Sequence, residues 1–195
     1  GVSISRTLFP EISKKSSNEE SRSEISELLR VSLTYTGLFI IPGLIGSALV
    51  GDVVLTIYGS GFTTGYYILL LLTFARLLHG YMRQFVSTID AIDRPDLTFY
   101  TNVIFVMVNL GLNVSLTWQF GWYGAAIATT VSSGLGLLLG YHYANQVIDV
   151  IIPVKEVGKQ FLAAGVMAIV VLAGRFFAGD SLLIIIVLVV IGAIV

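Results

Sequence analysis

Five side chains able to do polar chemistry recur through one otherwise apolar stretch: Arg76, His79, Arg83, Ser87 and Asp90, within 66–92. At about 100° per residue on a helix, they fall inside an arc of about 80°. Leu69 to Leu72, Phe74, Leu77, Leu78, Tyr81, Phe85 and Ile89 cover most of the remaining surface. An ionisable group at bilayer depth costs roughly 2.5–3.5 kcal/mol on insertion scales, so such groups face a bundle interior or a watery cavity. The stripe therefore reads either as a polar path through a membrane or as an ion-pair seam buried between two helices.

The elements that must position it are also apolar. Of 195 residues, 55% are hydrophobic and only 12% charged, with a mean hydropathy of +0.89. A soluble domain carries about 25% charged residues. The apolar residues come in long runs, which predicts an all-α, polytopic transmembrane helix bundle. About five complete spans are expected, at 31–55, 66–92, 97–120, 123–143 and 160–178, with partial helices at both ends. Gly1 to Phe9 reads as the tail of an earlier span, and 182–195 as the start of another; with Gly at position 1, the chain reads as a fragment. Within the first span Pro42 and Gly43 form a candidate hinge, since proline removes a backbone bond and bends a helix. Ser21 and Glu24 form a candidate capping box ahead of it, opening an interfacial helix. Gly51 to Gly65 reads as a loop.

The third span carries Asn102, Asn109 and Asn113 on one face, expected to hydrogen-bond across to other helices. The fourth is a helix of small residues, with Gly136 and Gly140 spaced for close backbone approach.

Lysine and arginine set the orientation. Lys14, Lys15, Arg22, Arg30, Arg94, Lys155 and Lys159 lie in the segments 10–30, 93–96 and 145–159. The segments 51–65, 121–123 and 178–181 contain none, so the first set is expected in the cytoplasm. Arg76 then falls near the bilayer middle and Asp90 near the cytoplasmic end.

Catalytic and cofactor motifs are missing from the sequence. There is no phosphate-binding glycine loop, dinucleotide fingerprint, metal-ligand spacing or nucleophile elbow. His79 and His142 lie on different spans, and the chain has no cysteine. No cofactor or metal is implied, no basic patch points to nucleic acid, and the chain does not read as an enzyme.

Three stretches together carry a family resemblance: Leu8-Phe9-Pro10-Glu11-Ile12-Ser13, Ile57-Tyr58-Gly59-Ser60-Gly61-Phe62, and Leu112-Asn113 followed by Phe120-Gly121-Trp122-Tyr123-Gly124-Ala125-Ala126-Ile127-Ala128-Thr129. The chain resembles the multidrug/oligosaccharidyl-lipid/polysaccharide exporter superfamily, and within it the polysaccharide (O-antigen type) flippases. The resemblance implies a transporter of about 12 to 14 helices in two lobes around a central cavity, of which 1–195 would be the C-terminal part, most of the second lobe. It implies alternating-access flipping of a lipid-linked oligosaccharide across the cell membrane. The partners would be membrane lipids, an isoprenoid-(pyro)phosphate-linked glycan and the missing N-terminal lobe.

Under that resemblance Arg76 and Arg83 are candidate contacts to the anionic head group, because guanidinium pairs bidentately with phosphate oxygens. Seven residues apart, they stand about 10 Å apart along the helix and would act in sequence or share contacts. His79 and Ser87 would add hydrogen bonds, and Asp90 would hold Arg83 or form a gate. Two alternatives stay open: a cation-coupled multidrug exporter of the same fold, which favours an acidic cavity, and a non-transporting membrane scaffold.

Overall fold

A computed structural model describes residues 19–178. The expected helix tail at Gly1 to Phe9, the motif at Leu8 to Ser13 and the partial span at 182–195 lie outside the described residues. Within them the backbone is helical: α1 (Glu19–Thr56), a short 3-10 turn (Ser60–Gly65), α2 (Tyr66–Ala91), α3 (Pro95–Phe120), α4 (Trp122–Val147) and α5 (Val154–Ala178). Each of the five α-helices is long and apolar enough to cross a membrane. The chain is a polytopic, all-α membrane protein.

The connections follow from their residues. Asp93 takes the left-handed backbone region at φ 60°, which aspartate tolerates, and Pro95 opens α3 at a position that needs no amide donor. Arg94, just before the proline, is pushed out of the helical region to φ −116°, ψ 59°. Between α3 and α4, Gly121 alone turns the chain, at φ 57° and ψ −134°, where a Cβ would be strained.

Two expectations are corrected. The helix is already running at Glu19, so Ser21 lies inside α1 and does not start it. The stretch Gly51 to Gly65 is mostly helical: α1 continues through Asp52 to Thr56, and Ser60 to Gly65 forms the 3-10 turn. Gly51 lies inside α1 with Leu69 of α2 packed against it, where its missing Cβ leaves room for that side chain.

The helices stand in a row, α5, α1, α2, α4, α3, so α2 sits at the centre. In the half of the bundle that holds the α2–α3 turn, Leu29, Leu33, Phe85, Ile89, Leu97 and Ala144 join α1, α2, α3 and α4 in one buried cluster. Ile41, Leu77 and Ala164 join α1, α2 and α5, and Val50, Met167 and Val171 continue the α1–α5 seam. Gln160, almost fully buried, donates from Nε2 to the Thr34 carbonyl at 2.8 Å and ties α5 to α1.

The small residues of α4 decide how closely the row packs. Gly124 lies against the Leu116 carbonyl of α3, and Gly136 against Met82 of α2 and Phe105 of α3. Gly140 lies against Phe85. One helix of small side chains thus brings α2 and α3 close to each other across it.

Outward surfaces are apolar, as a bilayer requires. Phe39, Leu162, Ile169 and Val114 are well exposed, and Trp118 is 92% exposed. Trp118, Phe120 and Trp122 cluster at the α3–α4 turn, where an aromatic belt meets the headgroups.

Candidate substrate groove

Three directions radiate from α2. Gly80 faces Ile40 and Thr36 of α1. Met82 and Phe85 face Gly136 and Gly140 of α4. The arc left between them carries the polar stripe. Arg76, Arg83, Ser87 and Asp90 are exposed, and His79, on the edge nearest α3, is half-buried. The structure therefore brings all five residues to one open side of the bundle.

This side is not an ion-pair seam among the described residues. The ion pairs among the described residues lie elsewhere: Arg30 with Glu27 and Glu156, Arg94 with Asp96, and Arg175 with Asp52. None involves Arg76, Arg83 or Asp90. The expected hold of Asp90 on Arg83 is absent, because seven residues on one helix separate them by about 10 Å along the axis. Asp90 stands instead in the last turn of α2, where the helix dipole disfavours a negative charge.

The sequence reading missed the opposite wall of the groove. The His79 imidazole packs on the Phe105 ring of α3, with centroids 5.4 Å apart. Leu97 and Thr101, which α3 buries, lie on one side of Phe105 around the helix. Asn102, Asn109 and Asn113 lie on the other side, about 40–80° round at the 100° helical step. The asparagine face thus turns to the same side of the bundle as the stripe. The expected bonds across helices are not made among the described residues. Asn113 donates to the Asn109 carbonyl at 3.0 Å and to Asn109 Oδ1 at 3.2 Å, within its own helix, and Asn102 is exposed. Spacings of seven and four along one face were the available signal; that the face met open space was not readable from them.

Other cavities lie elsewhere, among them a polar one of about 560 Å³ beside Arg22, Ser26, Asn145 and Asp149. An apolar one of about 450 Å³ sits on the opposite side of α2, between Leu33, Tyr81, Leu137, Pro153 and Phe161. Another, of about 530 Å³, lies at the end of the bundle near the 3-10 turn, beside Asp52, Tyr66, Tyr123 and Arg175. No group of His, Cys, Asp or Glu among the described residues is arranged to hold a metal ion.

The candidate hinge lies on α1. The helix is continuous through Pro42, and Gly43 is exposed with open space around it.

The groove sets guanidiniums with no ion-pair partner among the described residues beside neutral amides, on one open side of a helical membrane bundle. Comparison with known proteins fits that picture. Residues 1–191 match the family model described as lipid II flippase MurJ. The chain belongs to that family. The family falls within the exporter superfamily that the motifs pointed to; the narrower O-antigen type is not what the match names. Among curated relatives, "Probable flippase AglR" of Haloferax volcanii is 37% identical over 172 residues, covering 87% of this chain and 36% of its own. "Probable low-salt glycan biosynthesis flippase Agl15" of the same organism is 30% identical over 182 residues, covering 93% and 38%. The chain thus spans little more than a third of the length of these relatives. A solved structure, "Lipid II flippase MurJ, inward closed conformation", superposes with a TM-score of 0.76 at 22% identity, over 99% of this chain and 41% of that one. That likeness shows the MurJ fold.

Proposed function

We infer that this chain is the C-terminal part of a flippase that moves a lipid-linked oligosaccharide across the cell membrane by alternating access. Its substrate is an isoprenoid-phosphate- or pyrophosphate-linked glycan for cell-surface polysaccharide or glycoprotein assembly, the O-antigen type of substrate included. The observation that carries the reading is the pair of exposed guanidiniums, Arg76 and Arg83, with no carboxylate partner among the described residues. Fixed positive charge on an open intramembrane face needs an anion, and phosphate fits the guanidinium fork. The names of two relatives support the reading: "Probable flippase AglR" supports flipping, and "Probable low-salt glycan biosynthesis flippase Agl15" supports a glycan-linked substrate. A cation-coupled drug exporter fits less well, since the stripe sets two arginines against the single carboxylate Asp90.

Arg76 contacts the head group near mid-membrane, and Arg83 meets it nearer the cytoplasm. His79 and Ser87 add neutral hydrogen bonds, and Asp90 marks the cytoplasmic mouth. The basic segments 10–30, 93–96 and 145–159 are cytoplasmic in this reading. The missing N-terminal lobe closes the groove from the other side.

The test is glycan-lipid translocation, normalised to detergent-stable protein, for Arg76→Ala and Arg76→Lys. Alanine should abolish most transport with normal membrane levels, and lysine should restore part of it. Wild-type transport by Arg76→Ala removes Arg76 from the site.

A further inference from the structure

The asparagine face of α3 is matched to the arginine stripe of α2 in depth as well as direction. Counting about 1.5 Å per residue from the α2–α3 turn, Arg83 and Asn102 lie about 10–14 Å in, and Arg76 and Asn109 about 21–24 Å in. The His79–Phe105 contact, between the two levels, confirms that register. Each guanidinium therefore has an amide near its own depth on the facing helix.

The free hydrogen-bonding capacity of these amides is specific. Asn102 is exposed and has no hydrogen-bond partner among the described residues. Asn109 accepts from Asn113 through its carbonyl and Oδ1, which leaves its own NH₂ free to donate. Asn113 has used its NH₂, which leaves its Oδ1 free to accept. Donors and acceptors thus stand side by side along one wall. Amides turned to hydrocarbon would be left unsatisfied at a cost that membrane helices avoid. An anion is already provided for by the arginines. What remains to be recognised on the same substrate is neutral and rich in both donors and acceptors, which is the chemistry of sugar hydroxyl and acetamido groups.

Resting on the flippase reading, we propose that Asn102 and Asn109, with Asn113, form the glycan-reading wall of the groove. The arginines hold the phosphate, and the asparagines hold the first sugar residues. This wall sets specificity for the sugar, and its loss leaves binding of the lipid phosphate intact.

The test uses the full-length protein in nanodiscs and two probes, an isoprenoid pyrophosphate without sugar and the same lipid carrying a disaccharide. Asn102→Leu/Asn109→Leu keeps the branched side-chain skeleton and removes the amides. It should bind the sugar-free lipid like wild type and the sugar-bearing lipid about tenfold more weakly, the loss of one or two net hydrogen bonds. Arg76→Ala should weaken both probes. Unchanged affinity for the sugar-bearing lipid overturns the proposal. So does an equal loss for both probes, which marks the asparagines as packing partners of another helix. Alanine variants, read per folded protein, replace leucine where leucine does not fold, with the same outcomes. Binding of neither probe by wild type sinks the flippase reading and this inference together. Binding of both probes without dependence on the asparagines sinks this inference alone.

Discussion

His79 and Phe105 meet with ring centroids 5.4 Å apart and planes at 44°, and this one contact locks the register between the stripe of α2 and the asparagine face of α3. Phe105 also touches the space in front of Gly136, so the ring is held from α4 as well. Aromatic pairs of this kind contribute about 0.5–1.5 kcal/mol beyond burial. Phe105→Ala loses the packing of the half-buried ring as well, so it should cost about 2 kcal/mol or more in detergent unfolding and lower translocation several-fold, while Phe105→Tyr retains both. Transport unaffected by Phe105→Ala would show that the register is held without the ring.

The glycines of α4 are not equivalent. A Cβ on Gly124 would strike the backbone of Leu116, which cannot swing away. A Cβ on Gly136 would come within 2.5 Å of Met82 Sδ, the flexible end of a long side chain, and 3.2 Å of Phe105. Gly124→Ala should therefore destabilise by about 3 kcal/mol or lose the folded protein, at the upper end of overpacking costs. Gly136→Ala should cost about 1 kcal/mol or less, since methionine repacks. Thermal unfolding in detergent compares them, and equal losses would contradict the assignment.

How much of this was legible beforehand depends on which face of a helix is asked about. The all-α bundle followed from apolar runs too long for a soluble core, and the stripe from a period of 3.6 residues. Periodicity states that Asn102, Asn109 and Asn113 share a side, but not what that side meets. That depends on α4, whose small residues bring α3 close enough for Phe105 to reach His79. The end of α1 was misread because Gly51 and Asp52 resemble loop residues in isolation. In the fold, Gly51 admits Leu69, and Asp52 is paired by Arg175, from more than a hundred positions away.

That distant pair gives a third prediction. Arg175 approaches Asp52 at 3.4 Å and also donates to the Leu49 carbonyl near the end of α1. Asp52 is half exposed, so its ion pair contributes about 0.5 kcal/mol. The bond to the carbonyl has a charged donor and contributes about 1.5 kcal/mol or more. Arg175→Ala should thus destabilise more than Asp52→Ala, and the double variant should resemble Arg175→Ala. If the two single variants cost the same, the carbonyl contact contributes nothing.

Topology supplies a fourth. With the basic segments inside, a cysteine at Asn145 should be shielded from an impermeant thiol reagent in intact cells, and one at Gly61 labelled. The chain has no native cysteine to interfere. Both positions are exposed at the protein surface, so labelling reads the side of the membrane and not burial. The reverse pattern would invert the bundle and place Asp90 at the outer mouth.

The hinge at Pro42 and Gly43 can be tested in a direction that a merely structural kink does not share. Proline has no amide hydrogen, so the carbonyl of Leu38, one turn earlier, lacks its helical donor. Glycine next to it adds backbone freedom, and its position is open, with nothing within 4 Å of an added Cβ. Gly43→Ala therefore meets no clash. It should stabilise α1 by up to about 1 kcal/mol, because alanine exceeds glycine in helix propensity by that amount. If α1 bends as the groove changes sides, the same substitution stiffens the bend and slows transport. The expected result is a protein that unfolds at higher temperature but translocates several-fold more slowly, with unchanged affinity for the lipid phosphate. Pro42→Ala should slow transport too, and combining the two should slow it further. A Gly43→Ala protein that is more stable and equally fast would show that α1 moves as a rigid body, and that Pro42 merely shapes it.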